Sequence, residues 1–552
     1  MGTWKVRQGL LAVAVAGGLL LSGCSSGGGN TDRASDSSGK ERRGTAPLPA
    51  PGPASPGTGD AATPGGQGEQ QDGKQRDFAP PPDYLSTFAL DVDTASYGFA
   101  RRTLAEGRLP DPATVRPEEF VNSFRQDYPR PEGDGFSANV DGARTDADGW
   151  SLMRVGLATR GDSSDGERPP AALTFVIDVS GSMAEPGRLD LVKESLAIMT
   201  DKLRDDDSIA LVTFSDSAEK VLPMTRLGDH RGKVHSAIDA MEPTQSTNLE
   251  AGIRTGYDTA VGGRRDGATN RVVLLSDALA NTGETSADGI LERISDARSE
   301  HGITLFGVGV GSDYGDALME RLADKGDGHT TYVSDSEEAR KVFCEQLPAN
   351  IELRARDAKA QVAFDPKTVK QFRLIGYDNR AVADDDFRDD SVDGGEVGPG
   401  HTVTALYAVR MRPATSGHVA TASVRWLDPD SRAPHEESNQ IESGDLEGGL
   451  WNADPGLRTT AVAAYFADAL RQGTSATAPE PMSTSTGSPE RQSLPGAPSL
   501  AELARSADEL SSDGDDDKSL RDLATAVRQA DRLTGGYGGG GGGGEDEGEI
   551  TG

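Results

Sequence analysis

The sequence contains only two cysteines, Cys24 and Cys344, and aromatic residues make up just 5% of it. Hydrophobic residues reach 35%, whereas the chain has 69 glycines and 31 prolines. Segments of this composition cannot bury enough apolar surface to fold, so we expect part of the chain to be a tether. The 552 residues nevertheless exceed what one hydrophobic core usually supports, which predicts about two to four folded units.

Residues 1–23 have the pattern of a secretory signal peptide. A basic start is followed by an apolar run, and the segment leads into Leu21-Ser22-Gly23-Cys24, which resembles a bacterial lipobox. This predicts lipidation of Cys24 and a protein anchored to the extracytoplasmic face of the cell membrane. The alternative is an ordinary signal peptide followed by a cysteine by chance. No second apolar run reaches the roughly 20 residues of a transmembrane helix, so we expect an anchored chain that does not span the membrane.

If Cys24 carries lipid, Cys344 has no partner for an intrachain disulfide. The folded part must then be held together by its core or by bound ions. Cys344 lies in a segment with a helical pattern, which predicts a buried and unreactive thiol.

Positive charge is scarce relative to negative charge, with 56 Lys and Arg against 89 Asp and Glu. Removal of residues 1–23 takes away two basic residues and no acidic one, so the formal charge moves from −33 to −35. Such a surface disfavours nucleic acid and anionic lipid headgroups and suits the uptake of cations. We therefore expect no nucleic-acid partner and membrane contact through the lipid anchor only.

Composition and periodicity divide the rest of the chain into segments. The predicted segments are a disordered tether at 24–78, an N-terminal flanking region at 79–165, a domain of alternating strands and helices at 168–348, a β-rich C-terminal flanking region at 349–440, a helical region at 449–533 with a linker at 473–497, and a disordered tail at 534–552.

The alternating domain carries the clearest pattern. Apolar runs at 173–177, 209–214, 271–275 and 303–310 are separated by amphipathic helical segments. Strands without internal alternation, divided by such helices, are typical of a parallel sheet covered on both faces. The prediction is an α/β fold with a Rossmann-like, doubly wound, mostly parallel sheet and one antiparallel hairpin at its edge.

Side chains with oxygen ligands follow the predicted strands. Asp178, Ser180 and Ser182 come after the first strand, Ser246, Thr247 and Asn248 precede the helix at 249–261, and Ser276 and Asp277 follow a later strand. Ligand sites of open α/β sheets form where strands end, so these loops are expected to converge. Oxygen ligands without nearby His or Cys select a hard divalent cation, Mg²⁺ first and then Mn²⁺ or Ca²⁺. The alternative is that Asp178 and the two serines only cap a helix and fill a turn.

The set resembles the metal-ion-dependent adhesion site of von Willebrand factor type A domains, over about 168–348. The matching metal ligands are Asp178, Ser180, Ser182, Thr247 and Asp277. The resemblance implies direct coordination by both serines, and direct or water-mediated contacts by the other three. It also implies that a shift of the last helix of the domain, at about 335–347, couples metal ligation to the β region. Ala278 departs from the glycine that is common after the last ligand.

The flanks resemble those of a bacterial von Willebrand factor type A lipoprotein family. The resemblance rests on LSTFALDVDTASYGFARRTL and VRPEEFVNSF before the domain, and on FRLIGYDNR after it. It suggests that strands before 165 and after 350 pair into one support into which the domain is inserted.

The function predicted from these residues is capture of an acidic group on a macromolecular partner, a protein or another envelope macromolecule, without catalysis. Two alternatives differ in class. The metal site could serve only to stabilise a structural envelope protein. Asp91 and Asp93 also resemble the nucleophile motif of haloacid-dehalogenase-type phosphatases, although an enzyme of that kind should continue into its own βα alternation.

Overall fold

The computed structural model describes residues 83–535, except 134, 162–167, 278–285, 293–300, 312–317, 320, 321, 323–328, 334, 344–346, 348–352, 430, 473–492 and 514–516. The predictions for the signal peptide, Cys24, the tether, Ala278, Cys344, most of the 473–497 linker and the tail after 535 lie outside the described residues. No helix within the described residues is long and apolar enough to cross a membrane.

Fifteen strands and ten helices cover the described residues. The strands are β1 Leu85–Ala89, β2 Phe136–Arg144, β3 Trp150–Thr159, β4 Ala171–Asp178, β5 Ser208–Phe214, β6 Ala218–Arg226, β7 Thr269–Ser276, β8 Thr304–Val310, β9 His329–Val333, β10 Ala355–Phe364, β11 Val369–Ile375, β12 Gly395–Val397, β13 Thr402–Met411, β14 His418–Leu427 and β15 Pro434–Glu442. The helices are α1 Ala95–Ala105, α2 Pro117–Asn122, α3 Leu189–Lys202, α4 Arg231–Asp239, α5 Leu249–Gly262, α6 Ala287–Glu292, α7 Ser336–Lys341, α8 Pro455–Gln472, α9 Leu500–Asp513 and α10 Lys518–Gly535.

The central sheet has the order β6-β5-β4-β7-β8-β9. All its neighbours pair in parallel except β5 and β6, which form the predicted edge hairpin. Every residue of β4 and β8 is buried, as expected for strands covered on both faces. The predicted α/β, mostly parallel class is confirmed.

The flanking strands form two antiparallel sheets that draw on both ends of the described chain. One has the order β1-β10-β14-β15, with β12 also paired to β10, and the other has the order β11-β13-β3-β2. Because β1 pairs with β10 and β3 pairs with β13, segments on either side of the central domain are joined. Met153, Tyr407 and Val362 belong to the hydrophobic core shared by the two sheets. The α/β domain is therefore an insertion between β3 and β10, as the flanking sequences suggested.

Helices α8, α9 and α10 pack with α1 and α2 into a second apolar core. Within it, the rings of Phe120 and Phe466 meet edge to face with centroids 5.9 Å apart. The apolar stripes of the last two helices are buried at Leu503, Ala507, Leu510, Leu523, Val527 and Ala530. Helices α9 and α10 lie in the region predicted to be helical, 449–533, and α10 ends two residues beyond it.

Helix α5 lies unusually close to the central sheet because glycines face it. A Cβ on Gly256 would lie 2.2 Å from Val176 Cγ2, a buried atom of β4, whereas a Cβ on Gly262 would meet nothing within 4 Å.

We expect Gly256→Ala to destabilise the fold by about 1–3 kcal/mol through overpacking. Gly262→Ala should instead stabilise it by up to about 1 kcal/mol, because alanine favours a helix. Urea unfolding measures the change in the free energy of unfolding of each variant, which should be a decrease for Gly256→Ala and an increase for Gly262→Ala. Equal changes would contradict this packing.

Candidate metal centre

The candidate site lies at the carboxyl ends of β4 and β7, the two strands at which the winding of the sheet reverses. Chain order runs from β4 outward to β5 on one side, and then from β7 to β9 on the other. Loops that leave adjacent strands in opposite directions open a crevice at this point. Asp178 ends β4, Ser276 ends β7, and Asp277 follows it.

Asp178 is completely buried and holds two of the loops together. Its Oδ1 accepts a hydrogen bond from the backbone N–H of Ser180 at 2.8 Å, and its Oδ2 accepts one from Ser276 Oγ at 2.6 Å. Burial, with a smaller contribution from the nearby Asp277, raises the pKa of Asp178 to about 6 against the opposing effect of these donors. A carboxylate in this position would gain from additional positive charge.

The loop after β4 presents the two predicted serine ligands. Ser180 Oγ and Ser182 Oγ lie 3.1 Å apart, on either side of the exposed Gly181. A short 3-10 turn, Gly181–Ala184, follows, so these hydroxyls belong to a turn rather than to the start of α3. The alternative prediction that these residues fill a turn is therefore correct for the local geometry, and it leaves the two hydroxyls next to each other.

The loop before α5 contacts the residue that follows Asp178. The backbone N–H of Thr244 donates to the Val179 carbonyl at 2.6 Å, and Thr247 in this loop is buried. Ser246 has a φ of 66°, a left-handed conformation that is rare for residues with a Cβ and that turns the chain here. Asn248 caps α5, because its side chain accepts a hydrogen bond from the Ala251 N–H.

Asp277 is completely buried and is paired with an arginine that the sequence did not single out. Arg188 Nη1 donates to Asp277 Oδ2 at 2.9 Å, and Arg188 Nη2 donates to Glu185 Oε2 at 2.7 Å. The only sequence signal for Arg188 is its place just before α3, in the same loop as the serines. Thr244 also escaped prediction, since its contribution is a backbone group.

These contacts join the three loops. The side chains at these loops offer carboxylate and hydroxyl oxygens, which is the set that hard cations prefer, and two of the carboxylates are buried, one of them paired with Arg188. The residues therefore fit a divalent cation. Direct ligation by Asp178, Ser180, Ser182, Thr247 and Asp277 stays a prediction.

A second acidic group lies elsewhere. Oxygens of Asp91 and Asp93 and a ring nitrogen of His329 lie within 4.8 Å of one another, and all three residues are buried. Thr330 donates to Asp93 through its N–H at 2.8 Å and its hydroxyl at 3.1 Å, and Arg380 donates to both carboxylates at 3.3 Å. The group therefore fastens the loop after β1 to β9, a role that sequence reasoning missed.

The charges around this group argue against a metal. Arg380, Arg271 and Arg356 face the carboxylates of Asp91, Asp93 and Glu396, so positive and negative charges already balance. Burial and the neighbouring Asp91 also raise the pKa of Asp93 to about 8, so it readily takes up a proton. A dication would add unbalanced buried charge, which is costly.

The same geometry does not suit the phosphatase alternative. β1 pairs in antiparallel fashion with β10, so Asp91 does not follow a strand of the parallel sheet. Both carboxylates are buried and bound to Arg380, which leaves no exposed nucleophile in this motif.

Helix α7 begins the predicted last helix of the domain and contacts other parts of the chain. Arg101 of α1 is paired with Glu338, and Lys518 of α10 is paired with Glu337 at 2.5 Å. Ser336 Oγ donates to Glu194 of α3 at 3.1 Å. Movement of this helix stays a prediction, but its contacts to α1 and α10 are the connections that such a movement would disturb.

Family models match three parts of the chain: von Willebrand factor type A domain at 172–345, "Uncharacterized protein YfbK, C-terminal" at 350–486, and von Willebrand factor at 71–150. "Uncharacterized protein YfbK" of Escherichia coli (strain K12) is 33% identical over 414 residues, which cover 70% of this chain and 71% of YfbK. Uncharacterized protein sll0103 of Synechocystis sp. is 26% identical over 192 residues, covering 35% of this chain and 44% of that protein. A solved structure, von Willebrand factor type A from Catenulispora acidiphila, aligns with a TM-score of 0.41 and 15% identity over 62% of this chain and 80% of its own. The chain belongs to the YfbK family and carries a von Willebrand factor type A domain.

Proposed function

We propose that this protein is a lipid-anchored, extracytoplasmic binding protein that captures an acidic group of a macromolecular partner through a divalent cation. A von Willebrand factor type A domain suggests a role in protein interaction or adhesion. We propose in addition that the interaction uses a divalent cation, preferably Mg²⁺, and that the partner contributes a carboxylate. A bound cation would supply a coordination position for that carboxylate.

The observation that carries the proposal is the convergence of three loops on Asp178. Ser276 Oγ bonds to its side chain, and Thr244 bonds to the adjacent Val179 carbonyl. Gly181, Thr244 and Gln245 are exposed around the buried carboxylates, so the site faces solvent. The outer residues of these loops are therefore open to a partner.

The charge of the whole chain supports a cation as intermediary. With a formal charge of −33, the protein would repel an acidic partner at most of its surface. A bound dication would reverse this repulsion locally. A structural role for the cation predicts a different result, because loss of the cation would then unfold the domain.

The test is capture from an envelope extract by the immobilised protein, with Mg²⁺ or with EDTA. A Ser180→Ala, Ser182→Ala double variant removes two predicted hydroxyl ligands without changing any charge. We expect partner recovery to fall at least tenfold in EDTA and in the double variant, while circular dichroism stays unchanged. Mg²⁺ affinity measured by calorimetry should fall in parallel.

Ser217→Ala is the matched control, since Ser217 is exposed in the loop after β5. It should capture the partner like the wild type. Capture that persists in EDTA would contradict the proposal. Loss of helical signal in EDTA would favour the purely structural role.

A further inference from the structure

Arg188 is held in place from three sides beside a predicted metal ligand. It is 2% exposed and lies at the start of α3, where it bonds Asp277 Oδ2 at 2.9 Å. The end of β8 closes over it, because a Cβ on Gly311 would lie 2.7 Å from Arg188 Nε. Gly311 has a φ of +85°, a conformation that favours glycine. A glycine at this position therefore suits both the backbone conformation and the space that the guanidinium occupies.

An arginine at this position alters the charge of the site. Asp178 and Asp277 together bring two negative charges, and buried charges are screened little by solvent. Arg188 cancels one of them, while Glu185, its other partner, has a side chain that is 64% exposed and is therefore well screened. The three buried groups sum to −1 without a cation and to +1 with a dication, whereas the two carboxylates alone would give −2 and 0.

We propose that Arg188 determines the specificity of the site by making its cation-loaded form net positive, which favours an anionic ligand over water. The inference rests on the proposed function. Arg188 is buried, and it acts on the cation and on the bound acidic group only through Asp277. It is therefore a positioning residue. The same charge that favours an acidic ligand opposes the cation, so Arg188 lowers cation affinity and raises affinity for the acidic group.

The two affinities therefore respond in opposite directions to Arg188→Gln. Glutamine keeps an amide that can donate to Asp277 but carries no charge. We expect Arg188→Gln to bind Mn²⁺ about tenfold more tightly and acetate about tenfold more weakly than the wild type. Arg188→Lys keeps the charge and should stay within about threefold of the wild type for both, although it loses the two-pronged geometry of arginine.

The experiment uses the mature full-length chain and two probes. Free Mn²⁺ is counted by electron paramagnetic resonance, which gives its affinity. Acetate is then titrated into the Mn²⁺-loaded protein, and the fall in water-proton relaxation reports displacement of bound water, with acetamide as the uncharged control. Glu185→Gln, which removes the exposed carboxylate beside Arg188, should change either affinity by less than about threefold.

The outcomes separate the inference from the function on which it rests. Opposite shifts in Arg188→Gln, restored by Arg188→Lys, would support the inference. Weaker binding of both probes would show that Arg188 only supports the loop, and unchanged affinities would show that its charge is irrelevant; either result overturns the inference alone. No Mn²⁺ uptake by the wild type would overturn the proposed metal site and the inference together.

Discussion

Asp178→Asn should abolish the stabilisation of this protein by Mg²⁺. Asp178 is completely buried and provides one of the two carboxylates at the joined loops. A ligand that binds only the folded state stabilises it by about 2.7 kcal/mol at one hundred times its dissociation constant. We expect wild-type protein to gain about this amount at saturating Mg²⁺ and the variant to gain less than about 0.5 kcal/mol.

The variant should fold without the cation. Asparagine has nearly the same shape as aspartate, and a neutral side chain avoids the cost of burying a carboxylate whose pKa is raised to about 6. Thermal unfolding with Mg²⁺ and with EDTA measures the response. Asp258→Asn, on the exposed side of α5, is the matched control and should keep the wild-type gain. A Mg²⁺ response retained in Asp178→Asn would remove this residue from the site.

Glu396→Ala should destabilise the folded protein by about 3–5 kcal/mol, because it leaves the buried Arg271 without its counter-charge. Glu396 accepts from Arg271 and from Arg356, each at 3.1 Å. Arg271 belongs to β7 of the inserted domain and is 1% exposed, whereas Glu396 belongs to β12 of the flanking sheets. The substitution therefore acts at the junction of the two parts.

An exposed ion pair provides the comparison. Arg388 donates two hydrogen bonds to Glu436, but its side chain is 65% exposed, so Arg388→Ala should cost less than about 1 kcal/mol. Urea unfolding midpoints measure both variants. A Glu396→Ala effect no larger than that of Arg388→Ala would mean that water reaches the junction and screens Arg271.

The parallel strands β4, β5, β7 and β8 of the central sheet were predictable because burial on both faces leaves continuous apolar runs. Five other strands were not identified from the sequence: β1, β2, β9, β12 and β15. β15 is exposed over nearly all its length and reads as polar, and β9 has two buried threonines and a histidine because α1 covers it. β1 and β2 are strands because of the strands with which they pair, β10 and β3. A short stretch of sequence around β1 or β2 does not indicate that pairing.

The sequence was sufficient to predict which loops form the candidate site. The order of Asp178, Ser180, Ser182, Thr247 and Asp277 indicated convergence, since strand ends share one edge of a sheet. No sequence pattern indicated Arg188 or the cap formed by Asn248. Asp91 and Asp93 form a sequence motif, yet only the structure places Arg380 and Thr330 against them. Partners that come from distant segments have no local signature.

The insertion between β3 and β10 has a consequence for synthesis of the chain. A chain that emerges from its N-terminus presents Leu157 of β3 long before its partner Val403, which follows roughly 250 residues later. During that interval the early strands have unpaired edges that invite association with other chains. The inserted domain has its own core and can close the gap by folding first, because it brings residues 171 and 333 into one compact body. Maturation of the whole protein would then depend on how fast its middle folds.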